Sequence, residues 1–528
     1  MAPYFLRNLI PKKEADQSSR SLLTILGSLT KLQWAMFISG WLAWTCDGID
    51  FFSVSLSIHN LAEDFNRSTH TITTSITLTL LFRSIGAIIF GVISDRYGRK
   101  WPLVFNLLLI AVLELGAGFV TTYQQFLALR SIFGIGMGGI WGMSAATALE
   151  DLPTDARGIA SGVLQQGYAV GYLIAAIINL YLVPATPHGW RALFWMASGL
   201  SFGAAAIRAC LPETAYFQAA NAEAKREEEK KRERGEEVMG TRGKTRTFLR
   251  ETGRMLRIHW ARCIYGVLLM SGFNFLSHGS QDLYPTYLQD TKGFSPHNAT
   301  VATIISNVGA ICGGCIAGWA SQHLGRRLTI IICVLFLGAF IPLWILPDTF
   351  SPLSAGAFFV QVGVQGAWGV VPIFLSEISP PAFRVTFPGV AYQLGNMVSS
   401  ASAQIEATAG ESLRTELVVN GEVREVPDYA KVQGIFIGCV AAYLIVVTIF
   451  GPENHGSHFE QHKAAFSEGA AREDGHFQGE PSTSRPKDDP ESSPQLGDGS
   501  HSREKASSPE SSSVGDDEKG RVSMNERV

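Results

Sequence analysis

Gly91-Val92-Ile93-Ser94-Asp95-Arg96-Tyr97-Gly98-Arg99-Lys100 and Gly318-Trp319-Ala320-Ser321-Gln322-His323-Leu324-Gly325-Arg326-Arg327 are two versions of one phrase, 227 residues apart. The same offset carries Glu150, Pro153 and Arg157 onto Glu377, Pro380 and Arg384. A single offset shared by separate elements marks a duplicated unit. The glycines permit tight turns and close helix crossings. The basic residues suit a loop held at a membrane surface. Gln322 stands where the first copy has Asp95, so a charged latch at this loop belongs to the N-terminal copy.

Around these phrases the chain is apolar. Charged residues make up 17% of its 528 residues, against about 25% in ordinary soluble proteins. No Asp, Glu, Lys or Arg occurs from Gly158 to Trp190, Gly293 to Gly325, Leu328 to Pro347, Thr349 to Ser376, Val385 to Ile405 or Val432 to Pro452. Each stretch is long enough for one bilayer crossing, which takes about 20 residues. The pattern argues against a soluble enzyme or a nucleic-acid binder, and it contains no catalytic constellation. We read twelve spans, at 34–56, 70–93, 101–121, 124–148, 157–181, 190–210, 261–287, 298–320, 327–347, 353–376, 383–406 and 432–451. The fold class expected is an all-α membrane protein: twelve transmembrane helices in two pseudo-symmetric six-helix bundles.

Lys and Arg set the orientation. Arg7, Lys12, Lys13, Arg20 and Lys31 precede the first span, Arg96, Arg99 and Lys100 follow the second, and Arg326 and Arg327 follow the eighth. Lys225 to Arg234 enrich the middle loop. All fall on one side if both termini are cytoplasmic. The expected organisation is a cytoplasmic N-terminal tail (1–33), an N-terminal bundle (34–211), a cytoplasmic central loop (212–260), a C-terminal bundle (261–452) and a cytoplasmic tail (453–528). The Ser, Pro, Gly and acid mixture of that last segment predicts disorder and suits regulatory or ubiquitin machinery. Pro11 and Lys12 interrupt the only apolar run of the N-terminus, so no signal peptide is read there. The seven cysteines lie in or beside apolar segments, and Cys312 and Cys315 lack the second pair or His cluster of a zinc site. No metal or cofactor is expected. Gly134, Gly136, Gly138 and Gly139 sit in an apolar helix without a preceding strand, which favours close helix packing over a nucleotide loop. Asn66-Arg67-Ser68 is a possible glycosylation acceptor, and Asn298 is read as part of a helix start.

The paired phrases resemble the loop motif of the major facilitator superfamily, over residues 34–452. That resemblance implies alternating access, with two bundles rocking about a site near the bilayer midplane. A second and longer string is Asn274-Phe275-Leu276-Ser277-His278-Gly279-Ser280-Gln281-Asp282-Leu283-Tyr284-Pro285-Thr286. It resembles the signature of the fungal lactate/pyruvate:proton symporters, N-x-x-[ST]-H-x-[ST]-Q-D-x-x-x-T, at every fixed position. The resemblance implies uptake of short-chain carboxylates with protons.

The residues support this reading on their own terms. Asn274, His278, Gln281 and Asp282 share an arc of about 100° on a helix, and so polar a face belongs inside a bundle. His278 can carry a proton near neutrality, and Asp282 one turn away can pair with it; the alternative is a hydrogen bond between helices. Gln393, in Tyr392-Gln393-Leu394-Gly395-Asn396, maps onto Gln166 by the 227 offset, which places amides of both halves at mid-depth; Gln165 adds a further donor. Interhelical bonding is the other reading. Arg83 lies inside span 2 and needs a partner, either a substrate carboxylate or Asp47 or Asp50 of span 1. Glu114 and Arg130 read as a structural ion pair. The expected function is a plasma-membrane symporter of a small carboxylate and a proton, working in a lipid bilayer. A dicarboxylate or other organic-anion transporter, or a non-transporting receptor, are the rivals.

Overall fold

A chain in lipid must satisfy its backbone within the segment, which leaves helices for so apolar a sequence. The computed structural model describes residues 21–67, 69–235, 241–380, 383–419 and 422–454. The expectations for residues 1–20 and 455–528, including Arg7, Lys12, Lys13 and Arg20, lie outside the described residues. The N-terminal half comprises α1 (Leu22–Gly27), α2 (Lys31–Leu56), α3 (Ile58–Asp64), α4 (Thr69–Tyr97), α5 (Lys100–Ala117), α6 (Tyr123–Gly138), α7 (Ile140–Leu149), α8 (Arg157–Ala185) and α9 (Arg191–Cys210). Helices α10 (Ala215–Glu233) and α11 (Thr241–Ile258) link it to the second half. That half contains α12 (Trp260–Gln281), α13 (Tyr284–Asp290), α14 (Pro296–Leu324), α15 (Arg326–Ile345), α16 (Phe350–Ile378), α17 (Thr386–Ser399) and α18 (Ser402–Ser412). A hairpin of β1 (Arg414–Val419) and β2 (Glu422–Pro427) follows, with Arg414 opposite Pro427, and α19 (Tyr429–Phe450) closes the half.

Among the described residues, nine helical segments are long and apolar enough to cross a membrane, α6 and α7 counting as one. The expected spans missing from that set are α2, α12 and α17. These three carry Asp47 and Asp50, Asn274 and His278, and Gln393 and Asn396. Polar side chains lower their hydropathy, and α17 is only 14 residues long before the break at Ser400–Ala401. Residues 407–430, between the last two expected spans, form the end of α18, the hairpin and the first turn of α19.

The duplication is a physical device made twice at one end of the helices, here called the basic end. Gly98 and Gly325 turn the chain with φ of 102° and 88°, a region that disfavours side chains. The arginine after each glycine then reaches a buried glutamate with two parallel bonds. Arg99 Nε and Nη2 lie 3.1 and 2.8 Å from Glu150, and Arg326 Nε and Nη2 lie 3.0 and 2.9 Å from Glu377. Arg157 donates through Nε to the Leu152 carbonyl at 2.9 Å. Arg384 stacks over Tyr216 at 5.3 Å, and Arg96 over Tyr97 at 4.9 Å.

The same phrases join the halves. Asp95 accepts from the Thr386 N–H at 2.9 Å and its hydroxyl at 2.6 Å, at the start of α17. Gln322 donates to the Thr154 carbonyl at 3.1 Å, just before α8. The crossing bond is therefore charged in the first copy and uncharged in the second. Close approach needs the glycines: a Cβ on Gly91 would lie 3.1 Å from Thr386 Cα, and one on Gly318 would lie 2.6 Å from Gly162 Cα. At the opposite end Gln404 Nε2 donates to Thr73 Oγ1 at 3.2 Å, so contacts cross between the halves there too.

Glu453 heads the segment expected as a polar tail. It accepts from the N–H groups of Arg326 and Arg327 at 2.9 and 3.1 Å, and so satisfies the free donors that open α15. Glu213 does the same for Lys100 at 3.0 Å, opening α5. Glu453→Ala should cost about 1 kcal/mol per lost bond and lower the Tm of the purified protein in detergent. Glu453→Gln, which keeps an acceptor oxygen, should lose less; equal Tm values for all three proteins would refute the capping role.

Candidate functional site

Asn274, His278 and Asp282 recur every fourth residue and share one face, as helical geometry requires. His278 Nδ1 lies 2.9 Å from Asp282 Oδ2, and Nε2 lies 3.2 Å from Asn396 Oδ1 on α17. Asn396 Nδ2 donates to Gln393 Oε1 at 2.7 Å. Asn274 Nδ2 donates to the carbonyls of Met270 and Tyr392 at 2.8 and 3.3 Å. A polar chain thus runs from Asp282 to Gln393, buried throughout its centre. Both ring nitrogens of His278 thus face oxygens, a carboxylate on one side and an amide on the other, and the tautomer sets which of them donates.

Ser277 and Gln281 turn to a different neighbour. Ser277 Oγ donates to Gln281 Oε1 at 3.3 Å, and Gln281 Nε2 donates to Gln361 of α16 at 2.9 Å. They bond α12 to α16 and do not join the His278 cluster. Glu406 on α18, read in the sequence only as the end of a charge-free span, is a fully buried carboxylate. It accepts from Ser402 and Gln433 and lies beside Gly279, the residue after His278.

From the N-terminal half, Arg83 Nη2 reaches Asp47 Oδ2 at 3.1 Å and Met137 Sδ at 3.1 Å. Its guanidinium lies 5.3 Å over the Phe51 ring, and that ring is 6.1 Å from His278. Ser84 donates to the Gln393 carbonyl at 2.8 Å, which seats α4 on α17. The neighbouring Asp50 accepts from Ser201 at 3.2 Å. Glu114 and Arg130 form their own pair at 2.8 Å, as the sequence suggested.

Tyr392 is the centre of the aromatic wall, with ring centroids 4.8 Å from Trp141, 5.6 Å from Trp368 and 6.1 Å from Trp44. Gln165 faces this wall: its Oε1 accepts from Trp141 Nε1 at 3.2 Å and its carbonyl from Trp44 Nε1 at 3.3 Å. Gln166 does not mirror Gln393. It lies in the seam between the halves, against Gly314 and the Gln365 carbonyl. The expected symmetric pair of amides is therefore not formed, and Gln165 is the glutamine of α8 that reaches the centre.

Several buried polar atoms in this region have no hydrogen-bond partner among the described residues: Arg83 Nε, Gln393 Nε2, Trp368 Nε1 and Asp47 Oδ1. Trp368 carries no signal in the sequence, because a tryptophan in a charge-free span looks like packing or a lipid anchor. Among the described residues no group of three or more His, Cys, Asp or Glu side chains gathers to hold a metal.

Residues 21–466 match the sequence family described as sugar (and other) transporter. The carboxylic acid transporter protein homolog of Saccharomyces cerevisiae is 36% identical over 431 residues, 81% of this chain and 69% of that protein. The cis,cis-muconate transport protein of Acinetobacter baylyi is 29% identical over 365 residues, 68% of this chain and 84% of that protein. The solved structure of the proton:xylose symporter XylE superposes with a TM-score of 0.62 at 18% identity, over 81% of this chain and 98% of that one, which establishes the shared fold. The duplicated basic-end motif, the two helical halves and these likenesses agree: the chain belongs to the sugar (and other) transporter family of the major facilitator superfamily.

Proposed function

We propose that this transporter is a plasma-membrane symporter that carries a small carboxylate, lactate and pyruvate among them, together with a proton, with both its termini in the cytoplasm. The observation that supports the reading most is the set of buried donors without acceptors, Arg83 Nε, Gln393 Nε2 and Trp368 Nε1. Buried donors are rarely left unmade, and an anionic oxygen is the acceptor that suits a guanidinium best. In the proposed cycle the substrate carboxylate displaces Asp47 from Arg83, and the aromatic wall around Tyr392 covers the apolar body of the acid.

The chain Asp282–His278–Asn396–Gln393 supplies the proton. When the proton leaves, His278 Nε2 becomes an acceptor if Nδ1 keeps its hydrogen toward Asp282. Asn396 must then present its NH₂ group, and Gln393 must reverse with it, which withdraws a donor from the substrate. Proton and carboxylate are thereby held or released together. The energetic reason for coupling is direct. Moving one negative charge inward against 100 mV costs about 2.3 kcal/mol, and one accompanying proton cancels that charge. A pH difference of one unit then adds about 1.4 kcal/mol of drive. A diacid would call for a second cation; Arg130, another buried arginine of this half, is held by Glu114. This favours a monocarboxylate.

His278→Ala and Asp282→Asn should abolish accumulation of labelled lactate against its gradient in proteoliposomes, while exchange of lactate for lactate persists. Wild-type uphill uptake in both variants would falsify the proton role. Arg83→Lys should reach the membrane yet transport with KM raised about tenfold or more, because an ammonium cannot offer the two-pronged fork. Unchanged kinetics would remove Arg83 from the site. Trp368→Phe keeps the ring and deletes the indole N–H; a raised KM with normal kcat is expected, and an unaltered KM would exclude Trp368 as a substrate donor.

A further inference from the structure

Helix α11 takes no part in the site described above, and its two faces are unlike those of a helix bathed in water. It carries Arg242, Lys244, Arg246, Arg250, Arg254 and Arg257 against a single acid, Glu251. One face is buried. Phe248 and Met255 pack with Ala224 and Phe383, against Val92, Ala220 and Cys263, with Phe248 6.1 Å from the Phe383 ring. Arg254 and Glu251 pair at 2.8 Å beside this face.

The opposite face should be polar if it met only water. Instead Leu249, Gly253 and Leu256 form a row on it, and the leucines are 60% and 52% exposed. Arg246, Arg250 and Arg257 form a second exposed row alongside. The apolar row runs straight into α12, where Trp260, Ile264 and Leu268 are also exposed, at the spacing of a lipid-facing stripe. The adjoining α10 is mostly charged, with Glu228, Lys230, Lys231 and Arg232 in its second half, and shows no such leucine row. An apolar row flanked by arginines, continuous with the membrane-facing surface, has the chemistry of an interfacial helix.

We propose that α11 is a binding site for anionic phospholipid in the leaflet at the basic end: Leu249 and Leu256 sink to the headgroup boundary, and Arg246, Arg250 and Arg257 hold the phosphates. The inner face of the helix touches Phe383, next to Arg384 and close to Thr386, which Asp95 engages. Lipid on the outer face therefore steadies the crossing bond that closes the basic end. This inference goes beyond the transport reading and needs no substrate.

Hydrogen exchange on the full chain in nanodiscs tests it. In phosphatidylcholine with added phosphatidylglycerol, the amides of residues 246–258 should exchange about tenfold more slowly than in phosphatidylcholine alone. The triple variant Arg246→Gln, Arg250→Gln, Arg257→Gln should lose that difference, while exchange in α14 and α16 stays as in wild type and reports an intact fold. Equal exchange of the wild-type helix in both lipids overturns the proposal, as does a lipid effect that survives the triple variant. Protection by a soluble acidic peptide in neutral nanodiscs, with none from phosphatidylglycerol, overturns it in favour of a protein partner.

Discussion

Arg83 and Asp47 meet at 3.1 Å within the helices, each almost wholly shielded from solvent. Neither can stand alone there. An unpaired arginine at this depth costs at least about 2.5 kcal/mol, and a carboxylate stripped of its partner fares no better. Whatever draws Arg83 from Asp47 must itself bring negative charge. In the proposed cycle that requirement makes the ion pair a selection device: a neutral sugar or alcohol offers the arginine nothing in exchange, while a carboxylate offers the same charge and shape as Asp47. The unused Nε and Oδ1 atoms leave the pair one bond short of the fork that guanidinium and carboxylate can make.

The surroundings follow from this constraint. Phe51 lies under the guanidinium and also touches His278, so the cation of one half and the proposed proton carrier of the other share a ring. Ser84, the residue after Arg83, holds the backbone of Gln393. A displacement of Arg83 is thus felt on α17, the helix whose first residue Asp95 grips at the basic end. In the proposed cycle this helix carries the consequence of binding from the centre to the closure. In that proposed cycle the glutamate-bound Arg99 and Arg326 brace each half, so that the motion is a rocking of bundles and not a local rearrangement.

Much of this was legible in the residues. The 227-residue offset picks out Arg99, Glu150, Arg326 and Glu377, because a duplicated device keeps its spacing, while their pairing is seen only in the structure. The span 7 string names His278 and Asp282, because their four-residue spacing puts them on one helix face. Other features were not. Glu213 and Glu453 do identical work, yet they are 240 residues apart. The hairpin β1–β2 lengthens the second half before α19, so a search at a fixed offset misses the pair. Gln166 matches Gln393 by arithmetic, but α8 turns it into the seam and gives the centre to Gln165 instead. Gln281 lies within the polar arc and Ser277 beside it, but α16 offers Gln361 as the partner that Gln281 takes. Trp368 could not be singled out, since its proposed role rests on a bond it does not make.

The account turns on whether Asp47 competes with substrate for Arg83. Lactate binding to purified wild type and to Asp47→Asn, measured by calorimetry at fixed pH, addresses this directly. Removing the competing charge should tighten lactate binding in the variant, by roughly tenfold for each 1.4 kcal/mol that the pair contributes, although coupled turnover is lost. Lactate affinity that is unchanged or weaker in Asp47→Asn would contradict the exchange and leave Arg83 and Asp47 as a permanent structural pair.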